Sequence, residues 1–281
     1  MAEPLVIFER KDPHIALVRL NRADKKNSMS QDLELALRNA WKEVKEDDDI
    51  WSVVLTGTDD SFCSGGDLKE NLARAKGELK PLREPPPGVM PREGYPDLYN
   101  QGINKPIIGA VNGYAVGGGF GLSLACDIRY CVPAAKFGAS EVRWSHMAAW
   151  PSYMMTLPLG WGMWFALTGQ MIDADTALRI GLVQKICEPD KLIEECLDLA
   201  ETINRNGRLI GQHTKEYVYR SLYDIFGWQA AYNLHGLYYN HLRQSKDYDE
   251  GSAAFAEKRK PQFSGEFYKA EEKPPGVGGQ R

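Results

Sequence analysis

Two short glycine segments carry the clearest chemistry in this chain, because each stands directly after a strand-like run. WSVVLTG leads to Ser64-Gly65-Gly66-Asp67, and PIIGAVNGYAV leads to Gly117-Gly118-Gly119 at the start of a helix-like stretch. A glycine just past a strand lets a substrate oxygen approach the main chain with no Cβ in its way. A helix start adds unpaired N–H donors and the positive end of the helix dipole. Two such N–H groups facing each other across a cleft make an oxyanion hole, whereas either segment alone reads more simply as a tight turn. Nucleotide-phosphate binding does not fit, since GGGFG departs from the GxGxxG pattern and no Gly-Lys-Ser/Thr follows the strand.

The surrounding pattern supplies elements to hold these turns. VIFER and IALVRL flank KDPH and read as a hairpin. Ser30 is a fair N-cap for a helix carrying Leu33, Leu37, Trp41 and Val44 at helical spacing, before the acidic EDDD stop. WSVVLTG reads as a buried strand, DDSFCSGGDLKE as a loop, and the Pro- and Gly-rich stretch from Leu72 to Tyr95 as a long mobile loop. PIIGAVNGYAV, the helix FGLSLAC and the strand DIRYCV follow. From Pro151 onward the pattern is mainly helical, with apolar spacings of three and four in LIEECLDLAETINR and from Trp228 to Arg243. Strands alternating with helices, then helices, predict an α/β fold of repeated β-β-α units closed by a helical region. We divide it as 1–195 for the core, 196–268 for the helical region and 269–281 for a tail whose composition predicts disorder.

Composition narrows the function classes. The chain has 281 residues, of which 43% are hydrophobic, enough for one large core. A net charge of −4, from 34 Lys+Arg against 38 Asp+Glu, gives no basic field, so nucleic acid is not an expected partner. The odd set Cys63, Cys126, Cys131, Cys187 and Cys196 contains no CxxC pair and predicts buried free thiols in a reducing compartment, with no metal site. MAEPLVIFERKD is not a cationic stretch followed by an apolar run, and no segment approaches the ~18 apolar residues of a membrane span, so a cytoplasmic protein that does not enter a membrane is expected.

At a finer level, FCSGGDLKE, KPIIGAVNGYAVGGGFGLSLACDIRYC, AKFGASEVRW, ALTGQMIDADTALRIGLVQKI and FAEKRKPQF resemble, in order and spacing, the signature segments of the crotonase (enoyl-CoA hydratase/isomerase) superfamily. The resemblance runs from about Ile7 to Phe263. It implies a spiral of β-β-α turns with a helical C-terminal trimerisation region, assembly as a homo-trimer or hexamer, and an acyl-CoA thioester as substrate, with coenzyme A part of that substrate and no further cofactor. Gly66 and Gly118 match the two oxyanion-hole positions. Such donors are typically worth ~3 kcal/mol each against the charge that builds on a thioester oxygen. Glu141 matches one of the two hydratase carboxylates, and its setting between Phe137 and Trp144 favours a pKa raised by desolvation. The same resemblance places Lys26, Ser28, Ser64, Asp67, Lys69, Gly117, Trp144, His146, Tyr239, Phe255 and Lys258 in the substrate and CoA-binding set. For Lys69 and Lys258, a solvated surface lysine is as good a reading of the residue alone.

The departures from the family pattern are informative. The second hydratase glutamate is replaced by Gly121, which cannot carry a proton, and the segment after Glu141 is rewritten as Ser145-His146-Met147-Ala148-Ala149-Trp150-Pro151. His146 titrates near neutrality when unperturbed, so it is a candidate replacement acid or base, although a histidine beside Met and Trp is more often packing. GGGFG followed by SEVRW is most similar to the hydroxycinnamoyl-CoA hydratase-lyases, which keep a single glutamate. Asn71, however, stands where they carry a tyrosine, and Tyr238 and Tyr239 are candidates for their C-terminal tyrosine. The expected activity is hydration of a bulky enoyl-CoA, with or without cleavage. The alternatives are a Δ3,Δ2-enoyl-CoA isomerase, a CoA-ester hydrolase and an inactive CoA-binding homologue.

Overall fold

The structure is a computed structural model that describes residues 3–75, 78–79, 103–148, 156–226, 238 and 240–268. Strands β1 (Val6–Asp12) and β2 (Ile15–Leu20) form the antiparallel hairpin, with Val6 opposite Leu20. Helix α1 (Gln31–Glu46) begins where Ser30 Oγ accepts a hydrogen bond from the Leu33 N–H at 3.2 Å. It buries Leu33, Leu37, Ala40, Trp41 and Val44. These residues fall on one stripe because three- and four-residue steps return to the same helix face.

Three successive turns of chain then repeat one plan. Strand β3 (Ser52–Thr56) is followed by β4 (Ser61–Cys63) and helix α2 (Leu68–Ala75); β5 (Ile107–Val111) by β6 (Tyr114–Val116) and helix α3 (Gly118–Leu124); β7 (Ile128–Cys131) by β8 (Lys136–Gly138) and a 3-10 turn at Ser140–Trp144. The first strand of each pair joins a six-stranded sheet of order β1-β2-β3-β5-β7-β10, and the second joins a four-stranded sheet of order β4-β6-β8-β9. Neighbours within β3-β5-β7 and within β4-β6-β8 run parallel, so each turn of chain advances one strand in both sheets. β3 and β5 are buried along their whole length, which explains why they read as unbroken apolar runs rather than alternating ones.

The last strands close the two sheets from a region that the apolar spacing predicts as helical. β9 (Met171–Asp173) adds antiparallel to β8, and β10 (Lys185–Ile186) adds parallel to β7. Around them lie helices α4 (Leu159–Thr168), α5 (Ala174–Arg179), α6 (Leu192–Arg205), α7 (Arg208–Phe226) and α8 (Lys246–Ala256). The boundary expected at 195/196 falls inside α6, which buries Leu192, Cys196 and Ala200 against the first sheet.

Three local expectations are corrected. PIIGAVNGYAV is two strands in two sheets, broken at Asn112-Gly113, and DDSFCSGGDLKE contains β4. Helix α2 continues to Ala75, into the segment expected to be loop; the stretch from residue 80 through Tyr95 lies outside the described residues, as do residues 269–281 and most of the stretch from Trp228 to Arg243. All five cysteines are buried free thiols. Among the described residues no helix is long and apolar enough to cross a membrane.

Candidate active site

The topology gathers the predicted chemistry at one edge of the second sheet. β4, β6 and β8 are parallel neighbours, so their C-terminal ends lie side by side, and these ends run into Ser64-Gly65-Gly66, Gly117-Gly118 and Glu141 respectively. The two glycine turns touch: a Cβ built on Gly65 would lie 3.3 Å from Gly118 N and 3.5 Å from Gly117 Cα. Gly117 has φ +58°, a conformation side-chain-bearing residues rarely adopt, and a Cβ there would stand 3.3 Å from Glu141 Oε2. The carboxylate is therefore packed against the second glycine turn, where any larger residue would push it away.

Both proposed donors are geometrically available. Gly118 opens α3, so its N–H has no carbonyl to reach within its own helix. Gly66 pairs with Met29 in a parallel bridge, but the bonds are Met29 N–H to Gly65 O at 2.7 Å and Asp67 N–H to Met29 O at 3.1 Å. The bridge uses the groups on either side of Gly66 and leaves its own N–H directed away from Met29.

Glu141 is half-buried as a residue, yet its Oε2 is buried and has no hydrogen-bond partner. Burial penalises the charged form and outweighs an opposing backbone hydrogen bond within Glu141, so the carboxyl is pushed up to about 7. A group that titrates near neutrality can both accept and return a proton. Gly121 faces open space, since a Cβ built there meets nothing within 4 Å. The position lacks a carboxylate because of its residue type and not for want of room.

The segment between β2 and α1 braces the first glycine turn. Arg22 Nη1 donates to Ser28 O and Ser28 Oγ, both at 2.9 Å, and forms an ion pair with Asp67 Oδ2 at 2.8 Å. Asp67 Oδ1 also accepts from the Glu70 N–H, capping α2. Asn27, fully buried, accepts from the Arg22 N–H and donates to Ser61 O, and the Ser64 N–H donates to Lys26 O at 3.0 Å. Ser28 and Asp67 are thus held by the protein's own arginine, and Ser64 Oγ donates to Lys25 O. Arg22 and Asn27 escape a sequence reading because their partners lie up to 45 residues away. Lys26 lies over the Tyr114 ring at 4.7 Å, and Lys69 is exposed on α2.

A second group of predicted residues meets α8. The Trp144 ring packs edge-on to Phe255 at 5.2 Å, and Lys258 is exposed just beyond the helix with φ 55°. His146 stacks on Tyr248 at 4.1 Å and shares a 3.2 Å hydrogen bond with Ser252 Oγ. Burial, reinforced by the charge of Arg243, lowers its pKa to about 4, so the ring is neutral near pH 7. Tyr238 is exposed, and Tyr239 lies outside the described residues. Among the described residues no group of three or more His, Cys, Asp or Glu is arranged to hold a metal ion.

Comparison with known proteins agrees with this fold. The family model described as enoyl-CoA hydratase/isomerase matches residues 10–266. The chain is 37% identical over 261 residues to (E)-benzylidenesuccinyl-CoA hydratase of Thauera aromatica, covering 90% of this chain and 96% of that protein. It is 33% identical over 261 residues to mevalonyl-coenzyme A hydratase of Aspergillus fumigatus, covering 89% and 92%. The crystal structure of carnitinyl-CoA hydratase from Mycobacterium avium superposes with a TM-score of 0.78 at 31% identity, covering 93% of this chain and 99% of that one. A match of this length, on the same fold, means that the chain belongs to the enoyl-CoA hydratase/isomerase family of the crotonase superfamily and is one of its acyl-CoA enzymes.

Proposed function

We propose that the chain hydrates a bulky enoyl-CoA with Glu141 as its single catalytic carboxylate. The observation that carries this reading is the unpartnered Glu141 Oε2, set against Gly117 beside the two glycine turns. In this mechanism the thioester carbonyl lies between the N–H groups of Gly66 and Gly118. Glu141 takes a proton from water as the water oxygen bonds to C3, and the C2–C3 π electrons move onto the thioester oxygen as an enolate. The enolate then collapses, C2 takes the proton back from Glu141, and the carboxylate is restored. The two N–H donors bind most strongly while the oxygen carries charge, which is where preorganised dipoles have most effect. No further cofactor is needed.

The likeness to a hydratase named for an aryl-bearing acyl group, together with the open space at Gly121, supports a bulky, aromatic acyl chain. Isomerisation between C2 and C4 is the second reading, favoured by the single carboxylate, since moving one proton requires one base. Assembly as a trimer or hexamer is supported by α4, where Leu159 and Leu167 are each 70% exposed and Met163 lies on the same stripe at four-residue spacing.

The test is a panel of aliphatic, cyclic and aryl enoyl-CoAs followed by mass spectrometry, with Glu141→Gln as the control. A product heavier by one water, lost in the variant by about 10²–10⁴-fold while CoA binding persists, is expected. A product of unchanged mass supports the isomerase, and near-normal turnover by Glu141→Gln removes the single-glutamate mechanism.

A further inference from the structure

The turn that carries Glu141 is not held by its own sheet alone. It ends at Ser145, a non-glycine residue in the left-handed conformation (φ 58°, ψ 27°), a backbone state with a cost that needs support from its surroundings. The support comes from α8, more than a hundred residues later. Gly251 of α8 lies so close to the turn that a Cβ there would overlap the Trp144 carbonyl, 2.5 Å from its carbon and 3.0 Å from Trp144 Cα. Immediately after the turn, the His146 N–H donates to Glu141 O at 3.1 Å, and its ring is laid flat on Tyr248, with centroids 4.1 Å apart and planes 2° from parallel.

The hydrogen bonds also assign the ring's tautomer. Ser252 Oγ donates its one proton to Tyr248 O at 3.1 Å, so its contact with His146 Nε2 at 3.2 Å must be one in which Nε2–H donates and Ser252 Oγ accepts. Arg243 lies over the Tyr248 ring at 5.9 Å, adding a positive charge to this corner. His146 is thereby a neutral donor committed to α8.

We infer that His146, clamped by Ser252 and Tyr248 of α8, is a positioning residue that holds the Glu141 turn so that the carboxylate stays buried against Gly117. This rests on the reading of Glu141 as the acid/base. The main-chain bond from His146 to Glu141 transmits the clamp directly, and the backbone contact at Gly251 sets its distance. A carboxylate held between a glycine turn and a helix has little room, and displacement of a reacting group by about 1 Å costs up to ~10²-fold in rate.

Two variants test this. His146→Phe keeps a ring to stack on Tyr248 but lacks the N–H, and Ser252→Ala removes one hydroxyl and decides the matter if the first fails to fold. For each, kcat and KM are measured, and the Glu141 carboxyl is titrated by infrared difference spectroscopy against Glu141→Gln. The expected result is a kcat lower by about 10- to 100-fold with KM changed less. The Glu141 midpoint should move from about 7 towards the ordinary 4.5 as water reaches the freed turn, and Ser252→Thr, which keeps the hydroxyl, should restore both. An unmoved midpoint in the folded variants overturns the inference, whether or not kcat falls, because His146 would then not act through Glu141. A moved midpoint with unchanged kcat leaves the clamp standing and removes instead the reading of Glu141 as acid/base.

Discussion

Asp127 and Glu141 are both carboxylates at the margin of the core, and the chain surrounds them in opposite ways. Asp127 Oδ2 accepts from the Ile107 N–H at 2.7 Å and pairs at 2.8 Å with Lys215, whose side chain is only 6% exposed. Lys215 also donates to Lys105 O at 2.9 Å, and the neighbouring buried Arg129 donates to the carbonyls of Leu182, Ser123 and Cys126. This arrangement fastens α7 to the first sheet. Asp127 Oδ1 is itself buried without a partner, but at the second sheet Glu141 Oε2 is enclosed with neither a cation nor an N–H on it. A carboxylate provided with a cation and an N–H ties elements together, whereas one enclosed without them is left able to change charge near neutrality. The same residue chemistry yields a fastener in one place and, on our proposal, a proton carrier in the other.

Breaking the fastener should have the largest effect on stability. Lys215→Met leaves Asp127 without its cation and is expected to cost about 3–5 kcal/mol, while kcat per folded molecule stays unchanged. Urea unfolding read beside activity checks both halves, and a loss of kcat without a loss of stability would erase the distinction between the two regions.

Removing the proposed proton carrier should have the opposite sign. The folded-state value of Glu141, about 7, lies above the ordinary 4.5, so the folded protein binds this proton more tightly than the unfolded chain. Its contribution is complete below about pH 4.5 and is lost as pH rises through 7, a difference of about 3 kcal/mol. Glu141→Gln escapes that loss. It should therefore be more stable than the unsubstituted protein by up to that amount above about pH 8 and differ little below pH 5, as thermal unfolding across pH will show.

Glu250 extends the comparison to a solvated carboxylate. A two-bonded contact with Arg259 and the Gln262 N–H hold it down to about 2. Because water already screens this pair, Glu250→Gln should change the melting temperature little and register mainly as faster amide exchange at Gln262.

Much of this arrangement is legible in the sequence, for local reasons. The glycines mark where strands end, and the apolar runs before them are long enough to show that those strands are buried. The helical spacing from Leu33 to Val44 and the cap at Ser30 are equally local. The break at Asn112-Gly113 is harder to read because apolar residues continue on both sides, and only the second sheet gives them separate places. Residue type and flanking sequence single out Glu141 as desolvated, but the missing partner at Oε2 is a property of the assembled fold. Tyr248, Gly251 and Ser252 carry no local signal, since their role exists only where α8 meets a turn more than a hundred residues earlier.

The central claim is that Glu141 is the one group cycling its proton during turnover, and the pH dependence of kcat at saturating enoyl-CoA tests it most directly. Only the deprotonated carboxylate can take the proton from water, so kcat should rise with pH through a single step with its midpoint near 7. A kcat that is flat between pH 5 and pH 9, or that rises with its midpoint in the ordinary carboxylate range near 4.5, would contradict the account.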